Sequence, residues 1–114
     1  MKLSVVIPAR DEADSVADTV REVVATLSAA GIDHEVIVVD DSSDDGTATV
    51  VAELGRELPT VQLMRSPYRP GFGLAVRAGL ERFEGDAVAI FMADGSDDAS
   101  DLVAYHRALE EGFD

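Results

Sequence analysis

At 114 residues, 46% of them apolar, the chain has room for one compact domain with one core, and global disorder is excluded. The 23 acids against 9 bases leave a formal charge of −14, which repels nucleic-acid phosphates and anionic lipid and argues against both as primary partners. With no cysteine, disulfides and thiolate metal sites are impossible. Met1-Lys2 runs straight into a strand-like segment with no signal peptide, so a cytoplasmic location is expected. No apolar run approaches the roughly 20 residues that cross a bilayer.

Leu3 to Ile7 reads as a short buried strand, stopped by Pro8, which removes a ladder donor. Ala9-Arg10-Asp11-Glu12 is a loop at its carboxyl end, with Asp11 or Asp14 as the predicted cap of the next helix. Val16, Val20, Val23, Val24 and Leu27 recur at helical spacing and predict an amphipathic helix from about Glu12 to Ala30, ended by Gly31. Glu35 to Val39 is the second strand, its β-branched run suited to burial on both faces. It breaks into Asp40, Asp41, Ser42, Ser43, Asp44 and Asp45 before Gly46. Ser43 or Asp44 is the predicted cap of a second helix that carries Val50, Val51, Leu54 and Leu58 and closes at Pro59.

Val61 to Met64 is a third strand, less apolar and so nearer an edge. Arg65 to Gly73 is a loop rich in proline and glycine, with Tyr68 and Phe72 among them. A third helix is predicted from Leu74 to about Phe83, Gly79 allowing close approach to the sheet. After a turn at Gly85-Asp86, Ala87 to Met92 is the fourth strand, emptying into a second acidic stretch from Asp94 to Asp98. Ser100 or Asp101 opens a last helix with Leu102, Val103 and Leu109, and the chain closes at Phe113-Asp114 directly after it. Strands and helices in strict alternation predict an α/β fold whose mostly parallel sheet is built by right-handed crossovers.

Three of these strands deliver polar groups to what should be one edge: Arg10, Asp11 and Glu12 from the first, Asp40 and Asp41 from the second, Asp94 to Asp98 from the fourth. Ligands of open α/β sheets bind at the carboxyl ends of strands. Carboxylates there can accept hydrogen bonds from a nucleobase or sugar, or ligate a hard cation such as Mg²⁺ or Mn²⁺ beside a diphosphate. Asp40 and Asp41 are adjacent, so one is free to face the crevice while the other turns to the loop or the next helix.

Asp44 and Asp45 fit helix capping better than ligation; Asp97, Asp98 and Asp101 suit either role; Asp94 lies too close to its strand for capping and is the functional candidate. His34 and His106 are isolated and read as structural or solvated, Tyr105 and Phe83 as core. Arg10, Arg65 and Arg69 could meet a phosphate, although a single loop arginine is commonly a solvated surface group. The glycine-rich dinucleotide fingerprint, the P-loop and the nucleophile elbow are absent from the sequence.

The strand-end motifs are similar to those of family 2 glycosyltransferases. Val5-Val-Ile-Pro-Ala-Arg-Asp-Glu12 resembles their opening V-V-I-P-A-Y-N-E, and Val38-Val-Asp-Asp-Ser-Ser-Asp-Asp-Gly-Thr47 their V-V-D-D-G-S-T-D-G-T. Pro70-Gly-Phe-Gly-Leu-Ala75 with Gly79 resembles their G-x-G-x-A and its later glycine, and Phe91 to Asp98 falls where they carry the Asp-x-Asp metal motif. The ending Asp94-Gly-Ser-Asp-Asp98 is closest in flavour to dolichyl- or polyprenyl-phosphate sugar synthases.

The resemblance implies a three-layer α/β/α GT-A fold, of which residues 1–114 are the Rossmann-like nucleotide-sugar-binding half. Pro8, Ala9, Arg10 and Glu12 would then border the nucleotide, Glu12 near ribose or base, with Gly71 in the same binding set. Asp41 or Asp40 would contact the base, and Asp94 would hold Mg²⁺ or Mn²⁺ with help from Ser96, Asp97 or Asp98. The implied donor is a UDP- or GDP-sugar, and the implied reaction is transfer with inversion to a lipid phosphate or saccharide. The full-length protein would sit in the cytoplasm or at the cytoplasmic face of a membrane.

Three departures from the motifs stand out. Arg10-Asp11 replaces an aromatic-Asn pair. Met92 takes the place of the first Asp of Asp-x-Asp, and a thioether is a poor ligand for a hard cation. The family's acceptor half, where its catalytic base usually lies, is expected beyond this chain, so no residue is assigned as that base and the chain alone is expected to bind nucleotide without transferring sugar. The alternatives are a non-catalytic α/β module holding Mg²⁺, which would want a suitably placed lysine, and a nucleotidyltransferase, which would want a glycine-rich basic loop after the first strand.

Overall fold

The computed structural model of the protein describes residues 1–112, so the predicted chain end at Phe113-Asp114 lies outside the described residues. The elements alternate as predicted: β1 (Leu3–Ala9), α1 (Val16–Ala29), β2 (His34–Asp40), α2 (Thr47–Glu57), β3 (Val61–Arg65), α3 (Phe72–Leu80), β4 (Ala87–Ile90) and α4 (Ser100–Glu110). The four strands form one parallel sheet in the order β3-β2-β1-β4. β1 and β2 lie inside it and every residue of both is buried, which is why their sequences run apolar without alternation. The less apolar β3 is an edge strand, as expected, and the short β4 is the other edge.

Side chains of alternate parity leave the sheet on opposite faces. Val5, Ile7, Val36 and Val38 meet Val16, Val20, Val23 and Leu27 of α1, Val51 and Leu54 of α2, and Leu102 of α4. On the other face Val6, Ile37 and Val39 meet Ala75 and Ala78 of α3. The result is the three-layer α/β/α arrangement. α3 comes down close because Gly79 carries no side chain: a Cβ there would press into Cγ1 of Val6 and lie 3.0 Å from its Cγ2. Gly79→Ala is therefore expected to lower stability by about 1–3 kcal/mol, read as an earlier urea-unfolding midpoint with unchanged slope.

α4 opens at Ser100 as expected, but the other three helix starts depart from the sequence reading. α1 begins at Val16, not Glu12, because residues 12–15 form a separate turn, and neither Asp11 nor Asp14 caps it. α2 begins behind Gly46 in a left-handed conformation (φ 90°), not behind Ser43 or Asp44. α3 begins at Phe72 and ends at Leu80, two residues earlier than expected at its start and three at its end. β4 ends at Ile90, so Phe91 and Met92 belong to the loop.

Tyr105 is not core: it is 38% exposed beside the β4 edge, its hydroxyl donating to the Val88 carbonyl. Phe83 is half-buried against the α3-side core. His34 is structural, its ring bonded between the Ile32 carbonyl and the Thr60 hydroxyl, and His106 is buried against the Met1 carbonyl. No helix among the described residues is long and apolar enough to cross a membrane.

Candidate functional site

α1 and α3 lie on opposite faces of the sheet, and β4 adds to β1 on the side away from β2. The chain's direction of winding therefore reverses between β1 and β4, and a crevice opens at the carboxyl ends of that pair. A cavity of about 280 Å³ occupies the place. Pro8, Ala9, Arg10 and Glu12 from the end of β1 line it, with Asp41 from beyond β2, Phe72 from α3, and Met92 and Ala93 from beyond β4. The polar groups in the lining come from the ends of β1 and β2; beyond β4 the wall is Met92 and Ala93, and Asp94, Asp97 and Asp98 lie outside it.

The neighbouring carboxylates are divided as the alternation required. Asp41 faces the cavity, is 4% exposed, and accepts the Gly71 amide N–H through both oxygens at 3.1 and 3.3 Å. Asp40 turns to the loop and accepts the Ser43 amide N–H at 3.2 Å. Gly71 thus joins the site through its backbone, tied to Asp41. Glu12 lines the cavity and accepts the Ser15 hydroxyl at 3.0 Å. Arg10 is exposed at the cavity and has no ion-pair partner among the described residues, so its guanidinium is available to an anion. Arg65 and Arg69 are exposed and lie outside the cavity lining.

The β1 and β2 loops are laced to each other. Asp11 (φ 53°) and Ser42 (φ 59°) both adopt left-handed backbone, which costs a non-glycine residue energy and needs outside support. The support comes from crossed hydrogen bonds. The Asp11 amide donates to the Ser43 hydroxyl and the Asp44 amide to the Asp11 carboxylate; the Glu12 amide donates to the Thr47 hydroxyl and the Ala13 amide to Asp45. The Thr47 hydroxyl, and then the Ala13 amide, hold the Asp45 carboxyl below the usual aspartate value. The Asp45 carboxylate is thus occupied with the Ala13 and Thr47 amides and the Thr47 hydroxyl, while Asp44 takes part through its backbone N–H and caps no helix. The β4 loop is fixed from the start of α1: the Thr19 hydroxyl donates to the Ala93 carbonyl, and the Ser15 hydroxyl, 3.0 Å from both that carbonyl and Glu12, shares its one proton between them.

Asp94 is exposed and follows Ala93 in the chain; Ala93 lines the crevice and Asp94 itself lies outside its lining. The Ser96 hydroxyl, and next its amide N–H at 2.9 Å, hold the Asp94 carboxyl below the ordinary aspartate value, so it stays ionised. Asp97 is committed to the Met92 amide, and Asp98 to the amide and hydroxyl of Ser100. Among the described residues no three His, Cys, Asp or Glu side chains gather into a protein-only metal cage. One ionised carboxylate with a serine oxygen beside it still fits Mg²⁺ or Mn²⁺, which prefer oxygen donors and take much of their shell from substrate phosphates and water.

A larger groove, about 370 Å³, lies between β4 and α4, with Ile90, Phe91, Leu102 and Tyr105 in its walls. Two of its three acids, Asp97 and Asp98, are bound to local backbone, the third is Asp101 on α4, and β1 and β2 contribute nothing to it. The β1–β4 crevice is therefore the stronger candidate. Sequence reasoning had not singled out Phe72 or Ala93 as parts of it. The signal for Phe72 was an aromatic residue inside a proline- and glycine-rich loop one strand away from an acidic strand end.

A sequence model for glycosyl transferase family 2 matches residues 4–113. The chain belongs to that family. It is 38% identical over 112 residues to an uncharacterised glycosyltransferase of Mycobacterium tuberculosis, covering 98% of this chain and 45% of that protein. It is 29% identical over 116 residues to an undecaprenyl-phosphate 4-deoxy-4-formamido-L-arabinose transferase of Edwardsiella ictaluri, covering 98% of this chain and 35% of that one. Among solved structures it resembles a mannosyltransferase from Pyrobaculum calidifontis in complex with GDP-Man and Mn²⁺, at 26% identity and a TM-score of 0.71, covering 81% of this chain and 27% of that one. The chain thus spans less than half the length of these relatives, and the fold expected from the motifs is the fold observed.

Proposed function

We propose that this chain is the donor-binding part of an inverting glycosyltransferase. The sugar would move from a UDP- or GDP-sugar to an acceptor, a polyprenyl or dolichyl phosphate or a saccharide. The observation that carries this reading is the pair of carboxylates on one rim: Asp41 buried beyond β2, Asp94 ionised beyond β4, with the end of β1 and its Arg10 between them. Asp41 has lone pairs for the N–H groups of a base, Glu12 for a ribose hydroxyl, and Arg10 a charge for the diphosphate. Asp94 and Ser96 would hold Mg²⁺ or Mn²⁺. The chemistry supplied by such a cation is neutralisation of the charge that builds on the departing nucleoside diphosphate. The arabinose transferase and the GDP-Man complex support a lipid-phosphate acceptor and a metal-assisted nucleotide donor by similarity.

Calorimetry of UDP, GDP and their sugars, with and without Mn²⁺, tests the reading. One nucleoside diphosphate is expected to bind more tightly with the metal than without it. In Asp94→Ala the metal-free affinity is expected to stay as it is while the gain from Mn²⁺ disappears. A full Mn²⁺ gain in that variant would remove Asp94 from the metal site.

A further inference from the structure

We propose that Phe72 is the platform on which the nucleobase stacks and that Asp41, through its grip on Gly71, sets the platform in position. This deepens the nucleotide-binding reading above and rests on it.

Phe72, Ala75 and Gly79 are spaced three and seven residues along α3, so they share one stripe of the helix. Ala75 and Gly79 are buried over the sheet, yet Phe72 is 55% exposed. The first turn of α3 overhangs the strand ends, and there the stripe lines the crevice instead of the core. Leaving a phenylalanine ring half in water costs burial free energy that the fold does not recover. Among the residues lining the crevice Phe72 is the one aromatic side chain; the β1 loop offers Arg10 instead.

The polar partner of a base is adjacent. Asp41 lines the same crevice and its carboxylate holds the amide N–H of Gly71, the residue immediately before Phe72. A carboxylate has more acceptor positions than this one N–H fills, so it can take base N–H groups while still fixing the ring beside it. A flat apolar face next to a carboxylate that accepts N–H donors suits the π-face and edge of a nucleobase and repels a phosphate. Arg10 lines the crevice from the β1 end, away from α3, and Asp94 follows the lining residue Ala93 beyond β4, so a ligand with its base at Phe72 would carry its diphosphate toward Arg10 and β4.

The test is calorimetry in Mn²⁺ with three ligands, UDP, GDP and inorganic pyrophosphate, on the unaltered chain, Phe72→Ala and Phe72→Tyr. Phe72→Ala is expected to weaken the preferred nucleoside diphosphate about tenfold, the usual scale of one lost stacking contact, and to leave pyrophosphate unchanged. Phe72→Tyr is expected to bind both like the unaltered chain. Since the ring is exposed, the thermal midpoint of each variant should hold. Equal nucleotide affinity in Phe72→Ala, or a parallel loss of pyrophosphate, would overturn the platform while leaving the nucleotide site standing. Failure of the unaltered chain to bind either nucleotide would overturn the nucleotide reading itself.

Discussion

Asp41→Ala is expected to weaken nucleoside diphosphate binding by about 100-fold, because hydrogen bonds to a charged group contribute about 1.5–3 kcal/mol and the side chain serves two partners. One is the Gly71 amide N–H; the other, in the function proposed above, is the base beside it. Truncation removes the acceptor for the base and frees the segment that leads into α3. Asp41→Asn keeps the shape and one acceptor oxygen but turns an N–H₂ toward a donor, so an intermediate loss of about tenfold is expected. Asp40→Asn is the matched comparison. Its carboxylate serves the Ser43 amide and stays out of the crevice, and binding is expected to stay within about threefold of the unaltered chain. Calorimetry of the three variants separates the neighbours; a larger loss in Asp40→Asn than in Asp41→Asn would reverse their roles.

Glu35→Ala is expected to cost the fold about 3 kcal/mol, measured by urea unfolding, the scale of a buried charged network that loses its centre. Glu35 is buried at the start of β2, at the end of the sheet opposite the crevice. It accepts the Ser4 hydroxyl at 2.6 Å, the Gln62 amide at 3.0 Å and the Glu84 backbone N–H at 2.6 Å, and the Gly85 N–H donates to Ser4 at 2.9 Å. One side chain therefore joins β1, β2, β3 and the turn before β4.

Burial is the largest influence on the Glu35 carboxyl and pushes its pKa up. The Ser4 hydroxyl and the Glu84 amide, with help from Lys2 and Gly85, outweigh it and leave the pKa below the ordinary value of 4.5. The ionised form thus favours the folded state. Its contribution is complete above the unfolded pKa and is lost as pH falls through the lower, folded one. The stability gap between the unaltered chain and Glu35→Gln is expected to narrow on acidification from pH 4.5 downward. A gap that widened there would contradict the network.

The sheet was legible because its two inner strands are unbroken apolar runs. Val36 to Val39 cannot be placed with any face in water, and the structure buries every one of them. The start of α4 was legible, but those of α1 and α2 were not, because the residues that look like their caps are used across the chain rather than along it. Asp11 takes the Asp44 amide and Asp45 the Ala13 amide, so the local capping preference yields to a pairing between two loops over 30 residues apart. Tyr105 misled for a different reason: its helical spacing is that of a core residue, but the strand beneath it is an edge.

Within the site, the sequence supplied the rim and the motifs supplied the family. Which of Asp40 and Asp41 faces the crevice depends on where β2 ends, and β2 runs on through Asp40, one residue past its apolar run. Glu35 read only as the first residue of a strand. Its partners lie 31, 27 and 49 residues away along the chain, so no local pattern marks it.

The crossed bonds between the first two loops bear on how a ligand arrives. Their backbone is already fixed in unfavourable φ at Asp11 and Ser42, so little ordering is left for the moment of association. What remains to slow capture is long-range repulsion between an anionic ligand and a protein of charge −14. The on-rate should accordingly climb as ionic strength rises and shortens the reach of that field, the reverse of the behaviour of an enzyme that draws its substrate in electrostatically.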